Sequence, residues 1–327
     1  MKRSSTIVVV GSLNADLVSR VSRLPTPGET VTVDAFETHA GGKGANQAFA
    51  AARLGGAVAM IGCVGDDAHG RRLKAGLQEE GVDVSGIEVD GKSPSGMALV
   101  TVDAHGENHI VVVPGANASL TSERLARHRE RLASASVVLL QLEVPLPAVC
   151  AAARMAREGG AIVILDPAPA QPIPGELLED TTYITPNEIE LISLTEQLGA
   201  GPREGDPGTR PDPSDVALRA RMLLRRGASN VIVKLGDAGA RLFSREGEHT
   251  WPARPTTVAD TTGAGDAFNA ALAVSLASGA TIVTAGILAC TAASLSVSRH
   301  GAQSSMPTLA EVLEALPSPE LRPTVSE

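Results

Sequence analysis

The residues best suited to chemistry lie together at positions 260–266, which read Asp-Thr-Thr-Gly-Ala-Gly-Asp. Gly263, Ala264 and Gly265 precede an apolar helical pattern, so their backbone N–H groups are predicted to lie at a helix N-terminus, where anions bind. A carboxylate is unfavourable beside bound phosphate unless the chemistry needs it, and Asp266 is well placed as a base for a hydroxyl nucleophile. The alternative is that Asp266 only stabilises the first turn of its helix. The cluster predicts an anion site with a base beside it.

A second glycine-rich segment, residues 41–46, reads Gly-Gly-Lys-Gly-Ala-Asn and leads into an Ala-rich helical pattern. Three glycines let a ligand approach the backbone, Lys43 offers a charge, and Asn46 falls in the first helical turn. Polar groups placed in this way can hold hydroxyls. A tight turn before a helix would give the same pattern, so both interpretations stay open for this segment.

Residues 86–93 match the P-loop pattern letter for letter. A working P-loop follows a buried strand and opens a helix. Here the loop would carry Glu88 and Asp90 toward a polyphosphate, and Pro94 follows where the helix should begin. We therefore predict a short strand over residues 87–89 and a turn.

A metal site is considered at His105, Glu107 and His109, because side chains two residues apart share one face of a strand. Gly106 and Asn108 favour a solvated turn instead.

No predicted strand is followed by the dinucleotide-binding fingerprint GxGxxG. The lack of this fingerprint argues against an NAD-dependent dehydrogenase.

These segments belong to a chain of 327 residues that is 43% hydrophobic and 20% charged, a composition typical of a globular protein. The net charge of −9 and the lack of any Lys or Arg run argue against a nucleic-acid partner. Cys63, Cys150 and Cys290 are too far apart for a CxxC pair and too few for a disulfide framework, which fits a cytoplasmic protein. No stretch is long and apolar enough to suggest a membrane span.

The elements that must position these clusters alternate between short β-branched runs and helix-length segments, as in a doubly wound α/β fold with a parallel sheet. Predicted strands occupy residues 7–10, 58–61, 137–142, 162–165, 183–184 and 231–235, and predicted helices occupy residues 45–54, 148–158 and 187–198. Residues 18–38 and 97–113 alternate without an intervening helix and are predicted to be antiparallel strands outside the main sheet. Residues 200–214, rich in Gly and Pro, are predicted to be an exposed loop.

Taken together, these segments resemble the ribokinase (PfkB) family of carbohydrate kinases from about residue 6 to the last helix. Five segments occur in the family's order, at residues 11–16, 25–30, 41–46, 185–190 and 260–266. The resemblance implies a three-layer αβα core forming one domain over residues 1–327. It also implies a small β-sheet lid from about residues 16–40 and 95–113, and a homodimer through the lids.

The resemblance further implies ATP-dependent phosphorylation of D-ribose at its 5-hydroxyl, giving D-ribose 5-phosphate and ADP. Asp266 would take the hydroxyl proton, while the amides of Gly263, Ala264 and Gly265 form the anion hole. Besides Asp266, the residues implied to hold the sugar are Asn14, Asp16, Gly41, Gly42, Lys43, Asn46 and Glu143.

The same resemblance implies the nucleotide and metal sites. The residues implied to contact the nucleotide are Asn187, Lys234, Leu235, Gly236, Asp237, Gly239, Gly265 and Cys290. Cys290 departs from the family, because relatives often have His or Asn there, near the adenine. Asn187 and Glu190 would orient Mg²⁺ through water. An activating K⁺ would lie apart from the phosphates, at Asp260, Thr262, Ser296, Arg299, Gly301 and Ser305.

Alternatives remain within and outside this family. The acceptor could be another sugar or a nucleoside, such as deoxyribose, fructose or adenosine. Asn14 and Asp16 together with residues 41–46 favour ribose or a close pentose, and six aromatic residues leave little surface for a nucleoside base. A non-catalytic sugar-binding sensor would have no use for a base such as Asp266.

Overall fold

The structure, a computed structural model, describes residues 6–33, 35–104, 108–201 and 210–316. The strands in these ranges are β1 (Thr6–Val10), β2 (Asn14–Arg20), β3 (Ala35–Gly41), β4 (Ala57–Gly65), β5 (Asp83–Asp90), β6 (Gly96–Val102), β7 (Asn108–Val113), β8 (Val137–Leu140), β9 (Ile162–Leu165), β10 (Tyr183–Ile184), β11 (Asn230–Lys234), β12 (Ala240–Ser244) and β13 (Glu248–Trp251). The α-helices are α1 (Lys43–Arg53), α2 (Ala68–Glu79), α3 (Ser122–Ala126), α4 (Arg129–Ser134), α5 (Leu146–Glu158), α6 (Gly175–Glu179), α7 (Glu188–Glu196), α8 (Pro213–Arg225), α9 (Ala264–Ala277), α10 (Ile282–Ser296) and α11 (Leu309–Ala315).

The main sheet has the strand order β13-β12-β11-β10-β9-β8-β1-β4-β5. The pairs from β5 across to β11 are parallel, whereas β12 and β13 add an antiparallel edge. Strand β1 pairs with β4 on one side and with β8 on the other, so the chain changes direction across the sheet at β1. In doubly wound sheets, ligands bind beyond the carboxyl ends of the strands at such a point.

Helices cover both faces of the main sheet, so the central strands of this sheet are apolar along their whole length. Strand β1 is an example. Ile7 and Val9 pack into one core cluster, whereas Val8 and Val10 pack into the cluster on the opposite face. Successive side chains of a strand point to opposite faces, so a strand covered on both sides has no solvent-facing position. The predicted αβα fold class is confirmed.

A second, four-stranded sheet has the order β3-β2-β6-β7. It contains the two stretches that were predicted to lie outside the main sheet. The outer pairs, β2 with β3 and β6 with β7, are antiparallel as expected, but the central pair of β2 and β6 is parallel. Because β2 and β6 come from distant parts of the chain, local alternation carries no information about their relative direction.

The P-loop match at residues 86–93 is excluded by the fold. Its first half lies in β5, which is paired with β4, and residues 91–95 form a turn and an extended segment. No helix begins there, so the expected strand and turn are confirmed. His109 lies in β7, whereas His105 and Glu107 fall outside the described residues.

In the described ranges, no helix is long and apolar enough to cross a membrane. Across those same ranges, no group of three or more His, Cys, Asp or Glu side chains is arranged to hold a metal ion.

Candidate active site

The N-terminus of α9 carries the predicted base. Gly263 precedes the helix with a φ of 78°, a left-handed conformation that side chains disfavour, and this lets the preceding loop turn sharply into the helix. Asp266 lies in the first turn and is only 5% exposed. The amide of Ala264 closes a turn onto the Thr261 carbonyl at 3.3 Å. The helix start therefore holds a carboxylate beside backbone N–H groups, as the sequence predicted.

Two side-chain amides orient the Asp266 carboxylate. Asn46 Nδ2 donates to Asp266 Oδ2 at 3.1 Å, and Gln47 Nε2 donates to Asp266 Oδ1 at 3.0 Å. Burial raises the pKa of Asp266 to about 6; the charge of Lys43 lowers this pKa, whereas that of Asp166 raises it. A buried carboxyl with a pKa near neutrality is suited to accept a proton from a hydroxyl.

The glycine-rich segment at residues 41–46 ends β3 and opens α1. Gly42 has a φ of 86°, and a Cβ there would lie 2.8 Å from the backbone nitrogen of Asn14. The amide of Lys43 donates to Glu143 Oε2 at 2.9 Å, and Ser12 Oγ donates to the same oxygen at 2.5 Å. Three segments distant in sequence therefore meet at the Glu143 carboxylate, after the end of β8.

The side chain of Lys43 is the cation of this pocket. Burial would lower its pKa, but the carboxylates of Asp266, Asp166, Glu143 and Glu190 outweigh burial and raise the pKa. Lys43 is therefore charged at neutral pH and balances the acidic side chains around it.

Asn14 and Asp16 lie at the start of β2, beside this segment. Asn14 Oδ1 accepts a hydrogen bond from Asn117 Nδ2 at 2.7 Å, and Asn117 also bonds both backbone groups of Leu13. Burial, helped by the charge of Glu143, raises the pKa of Asp16 to about 6. A Cβ at Gly41 would lie 2.1 Å from Asp16 Oδ2, so only glycine leaves room for this carboxylate.

A cavity of about 450 Å³ opens on the other side of the α9 N-terminus. Its lining is mostly apolar or backbone. It includes the predicted residues Lys234, Gly236, Asp237, Gly239, Gly265 and Cys290, and it adds residues that the sequence did not indicate, notably Ala253, Thr256, Val258 and Phe268. Leu235 is absent from this lining and packs against the core instead. The volume and the apolar walls suit a flat heterocycle.

Cys290 lies in the wall of this cavity, and burial raises its pKa to about 12. The thiol is therefore neutral, and its Sγ lies 4.0 Å from the Trp251 carbonyl oxygen. Gly239, with a φ of 91°, shapes the turn that follows β11, where a Cβ would collide with the Trp251 carbonyl.

From the predicted loop at residues 200–214, Arg210 reaches the rim of this cavity, while residues 202–209 lie outside the described ranges. Its guanidinium pairs with Asp237 at 2.7 Å and Glu188 at 3.2 Å, and it donates to the Leu235 carbonyl. Asp237 is thus held by an arginine as well as lining the cavity.

Asn187 and Glu190 form the N-terminal capping box of α7. Asn187 Oδ1 accepts from the amide of Glu190 at 2.8 Å, and Glu190 Oε2 accepts from the amide of Asn187 at 2.8 Å. Burial raises the pKa of Glu190, whereas the charge of Lys234 lowers it. The pair therefore has a structural role whether or not an ion is nearby.

The loops around Asp260 and residues 296–305 are joined. The amides of Thr262 and Gly301 each donate to one oxygen of the Asp260 carboxylate, both at 2.9 Å. Among the other residues predicted for the cation, the Arg299 guanidinium pairs with Glu311, and Ser305 Oγ donates to the Ala302 carbonyl. The side chains of Arg299 and Ser305 are thus both engaged within the protein.

Sequence reasoning missed four polar residues that support the site. Gln47 is fully buried between Asp266 and Asp166, Asn117 orients Asn14, and Ser12 bonds Glu143. A signal existed for Asp166, because it directly follows β9 at the carboxyl edge of the sheet, where functional residues collect. Gln47 adjoins Asn46 but lies inside an Ala-rich helical pattern that gave no reason to single it out.

Comparisons with known proteins agree with this geometry. Residues 4–309 match the model of the pfkB family of carbohydrate kinases. The ribokinase of Bacillus subtilis (strain 168) is 39% identical over 310 residues, which are 95% of this chain and 99% of that protein. The bifunctional ribokinase/ribose-5-phosphate isomerase A of Fructilactobacillus sanfranciscensis is 35% identical over 323 residues, and the match spans 98% of this chain and 58% of that longer protein.

Among solved structures, that of Arabidopsis thaliana ribokinase complexed with ribose and ATP has a TM-score of 0.88 and is 35% identical. The superposition covers 97% of this chain and 100% of that one. A family model that matches nearly the whole chain agrees with the buried carboxylate at a helix N-terminus and with the polar pocket beside it. The chain therefore belongs to the pfkB family of carbohydrate kinases, phosphotransferases that act on a sugar hydroxyl.

Proposed function

We propose that this protein phosphorylates D-ribose at the 5-hydroxyl with ATP, giving D-ribose 5-phosphate and ADP. The observation that carries the proposal is the position of Asp266, between the polar pocket around Lys43 and Glu143 and the apolar cavity near Cys290. A carboxylate at that boundary can contact an acceptor hydroxyl on one side while phosphate binds at the helix N-terminus on the other.

In the proposed reaction, Asp266 accepts the proton of the 5-hydroxyl as the oxygen attacks the γ-phosphorus. The bond between that phosphorus and the β–γ bridging oxygen breaks, and its electrons leave with ADP. Asn46 and Gln47 hold the carboxylate in one orientation, so it needs little rearrangement before accepting the proton. The backbone amides of Gly263, Ala264 and Gly265, at the N-terminus of α9, act as donors to the developing negative charge, and the Ala264 amide gives up its 3.3 Å bond to the Thr261 carbonyl to do so.

For the sugar, we propose that Asn14, Asp16, Lys43, Asn46 and Glu143 bind the ring hydroxyls, with Gly41 and Gly42 allowing close approach. Asp16 and Glu143 accept hydrogen bonds, Lys43 donates them, and the two amides do both. The density of charged and polar groups supports a ligand with several hydroxyls over a nucleoside, whose base needs apolar surface.

Mg²⁺ is proposed to accompany the nucleotide near Glu190 and Asn187, where it would neutralise phosphate charge. Glu190 is a half-buried carboxylate beside Asp166, and Mg²⁺ prefers oxygen ligands of this kind. The proposed role of the two residues is to orient Mg²⁺ through water, which suits an ion that keeps most of its water shell.

K⁺ is proposed to bind between the loop at Asp260 and Thr262 and the loop at residues 296–305. The donor set is oxygen only, which suits a hard monovalent cation. Binding is testable without turnover, because an ion held by the folded state raises its melting temperature. We expect KCl to raise the Tm above that in equal NaCl, and Asp260→Ala to remove the difference; equal Tm values for the wild type in both salts would contradict the site.

We also propose that the four-stranded sheet of β3, β2, β6 and β7, which corresponds to the lid predicted from about residues 16–40 and 95–113, covers the sugar and pairs with a second copy. Leu99 and Val111 are register partners, exposed on the face opposite Asp16, and Phe36 is 61% exposed nearby. Apolar side chains on the outer face of a sheet support a protein interface. Leu99→Lys should convert a dimer to a monomer in sedimentation analysis, and a wild-type monomer would contradict the proposal.

A cytoplasmic location is proposed on the basis of cysteine usage. Cys63, Cys150 and Cys290 are all free thiols. Thiols left free in this way are typical of proteins kept in a reducing compartment.

The test is a coupled ADP-release assay with ATP and Mg²⁺ across ribose, deoxyribose, fructose, adenosine and a blank without acceptor. We expect ribose to give the highest kcat/KM, with a higher rate in potassium than in sodium. A higher kcat/KM for any other acceptor would overturn the assignment of ribose while leaving the family and the role of Asp266 intact.

A further inference from the structure

A buried ion pair lies at the phosphate end of the site, and the proposed reaction above does not use it. Asp166 Oδ1 accepts from Lys234 Nζ at 2.9 Å, and their side chains are 2% and 14% exposed. A buried ion pair contributes little to stability, because desolvation of the two charges offsets their attraction. A pair of this kind at a reaction centre is better explained by a role in the chemistry.

The pair is connected to the base through one side chain. Gln47 Nε2 lies 3.0 Å from Asp166 Oδ2 and 3.0 Å from Asp266 Oδ1. Gln141 Nε2 donates to Gln47 Oε1 at 2.6 Å, so the amide cannot be flipped without losing this bond. The amide thereby holds the carboxylates of Asp166 and Asp266 at fixed positions on either side of it.

The ammonium group of Lys234 lies at the start of α9. Its Nζ is 3.1 Å from the position that a Cβ on Gly265 would take, and the side chain lines the nucleotide cavity. An ammonium has three N–H donors, and Asp166 accepts one of them. Glycine at position 265 leaves the space between this cation and the helix open to a ligand atom.

We infer that Lys234 is a catalytic residue that donates to the phosphoryl group in transfer, and that Asp166 and Gln47 position it relative to Asp266. This inference rests on the proposed ATP-dependent reaction. Lys234 gives up no proton and takes none: the proton goes from the sugar hydroxyl to Asp266, and the electrons of the broken bond go to ADP. The ammonium opposes the negative charge that builds up on the transferred phosphoryl oxygens.

The test separates chemistry from stability by removing the two charges one at a time and together. Lys234→Met leaves the Asp166 carboxylate buried without its cation, so we expect a lower Tm and a kcat reduced on the order of a hundredfold. The double variant Lys234→Met with Asp166→Asn removes both charges. It should recover most of the Tm but not the kcat, with the ribose KM within about twofold of wild type.

The matched control is a second largely buried ion pair, Arg219 with Asp215 at 2.8 Å, which belongs to α8. Arg219→Met should lower the Tm while the kcat of the folded enzyme stays at the wild-type value.

The variant Asp166→Asn alone tests whether Asp166 influences the Asp266 carboxylate. The Asp166 charge raises the pKa of Asp266, so its removal should move the acid limb of the pH–rate profile to lower pH.

Recovery of both Tm and kcat in the double variant would show that the pair is only structural and would overturn the inference. An unchanged acid limb in Asp166→Asn would overturn the positioning role of Asp166. The wild type is assayed first with ribose and ATP, so a failure of the proposed function appears as absent wild-type turnover. A failure of this inference appears only in the variants of an active enzyme.

Discussion

The two sides of the active site are built by different means. Around the proposed sugar pocket, Asp16, Lys43, Glu143 and Asp266 are buried or half-buried, and each interacts with further charged or hydrogen-bonding groups. The proposed nucleotide cavity has mostly apolar walls, backbone and small residues, with Cys290 neutral in its wall. Hydroxyls need donors and acceptors in fixed directions, whereas a heterocycle needs space and apolar contact. The hydroxyls of a sugar therefore dictate the type of side chain in one pocket, whereas a heterocycle dictates mainly the side-chain volume in the other.

The largest expected effect is at the boundary between the two sides. Asp266→Asn keeps the shape but removes the proton acceptor, so kcat should fall at least about a hundredfold while ribose binding, measured by calorimetry, is retained. Asp180→Asn serves as a control, because that carboxyl also has a pKa raised by burial but lies at the end of α6, away from the site. Retention of wild-type kcat in Asp266→Asn would contradict a role as base.

On the sugar side, charge should matter more than volume. Asp16→Asn preserves size and loses a half-buried charged acceptor, so the KM for ribose should rise about tenfold or more, with the KM for ATP unchanged. Steady-state kinetics with each substrate varied in turn gives both values. An equal rise in both KM values would indicate a general disturbance of the fold instead of a lost sugar contact.

On the nucleotide side, volume should matter more than polarity. Cys290→Phe occupies part of the cavity and should raise the KM for ATP about tenfold without changing that for ribose. Cys290→Ser is the matched variant, nearly equal in size, and it should stay within about twofold of wild type. If Cys290→Ser weakened ATP binding as much as Cys290→Phe, polarity would govern this wall and the comparison would fail.

A change of pH near neutrality should have the smallest effect, because both acidic groups of the site are already ionised there. Asp16 and Asp266 both have pKa values raised to about 6. Because the proposed roles need both carboxyls ionised, activity should be lost as pH falls through 6. For stability the direction is opposite. The folded chain holds these protons more tightly than the unfolded chain, so the two groups make folding less favourable as pH rises from about 4 to 6. The pH profile of kcat/KM, with Tm followed over the same range, checks both signs.

Much of the fold followed from local patterns. We predicted β1, β9 and α1 close to their observed positions. The apolar or Ala-rich pattern that predicts each of these elements lies within a few consecutive residues. The P-loop match in β5 was dismissed for a local reason as well, since Pro94 follows where a helix would have to start. The parallel pairing of β2 with β6 was not predictable in this way, because it joins strands far apart in sequence.

The sequence by itself determined where the backbone turns before a helix and where the carboxylate of Asp266 lies relative to such a turn. Gly42 and Gly263 mark left-handed turns before helices, and Asp266 follows the second of them within one helical turn. Only the tertiary structure decided which groups face that carboxylate. Gln47 is 219 residues from Asp266 and 119 from Asp166, yet it bonds both. Such contacts depend on the order in which parallel strands are laid side by side, and that order arises from packing of the whole sheet between its helices.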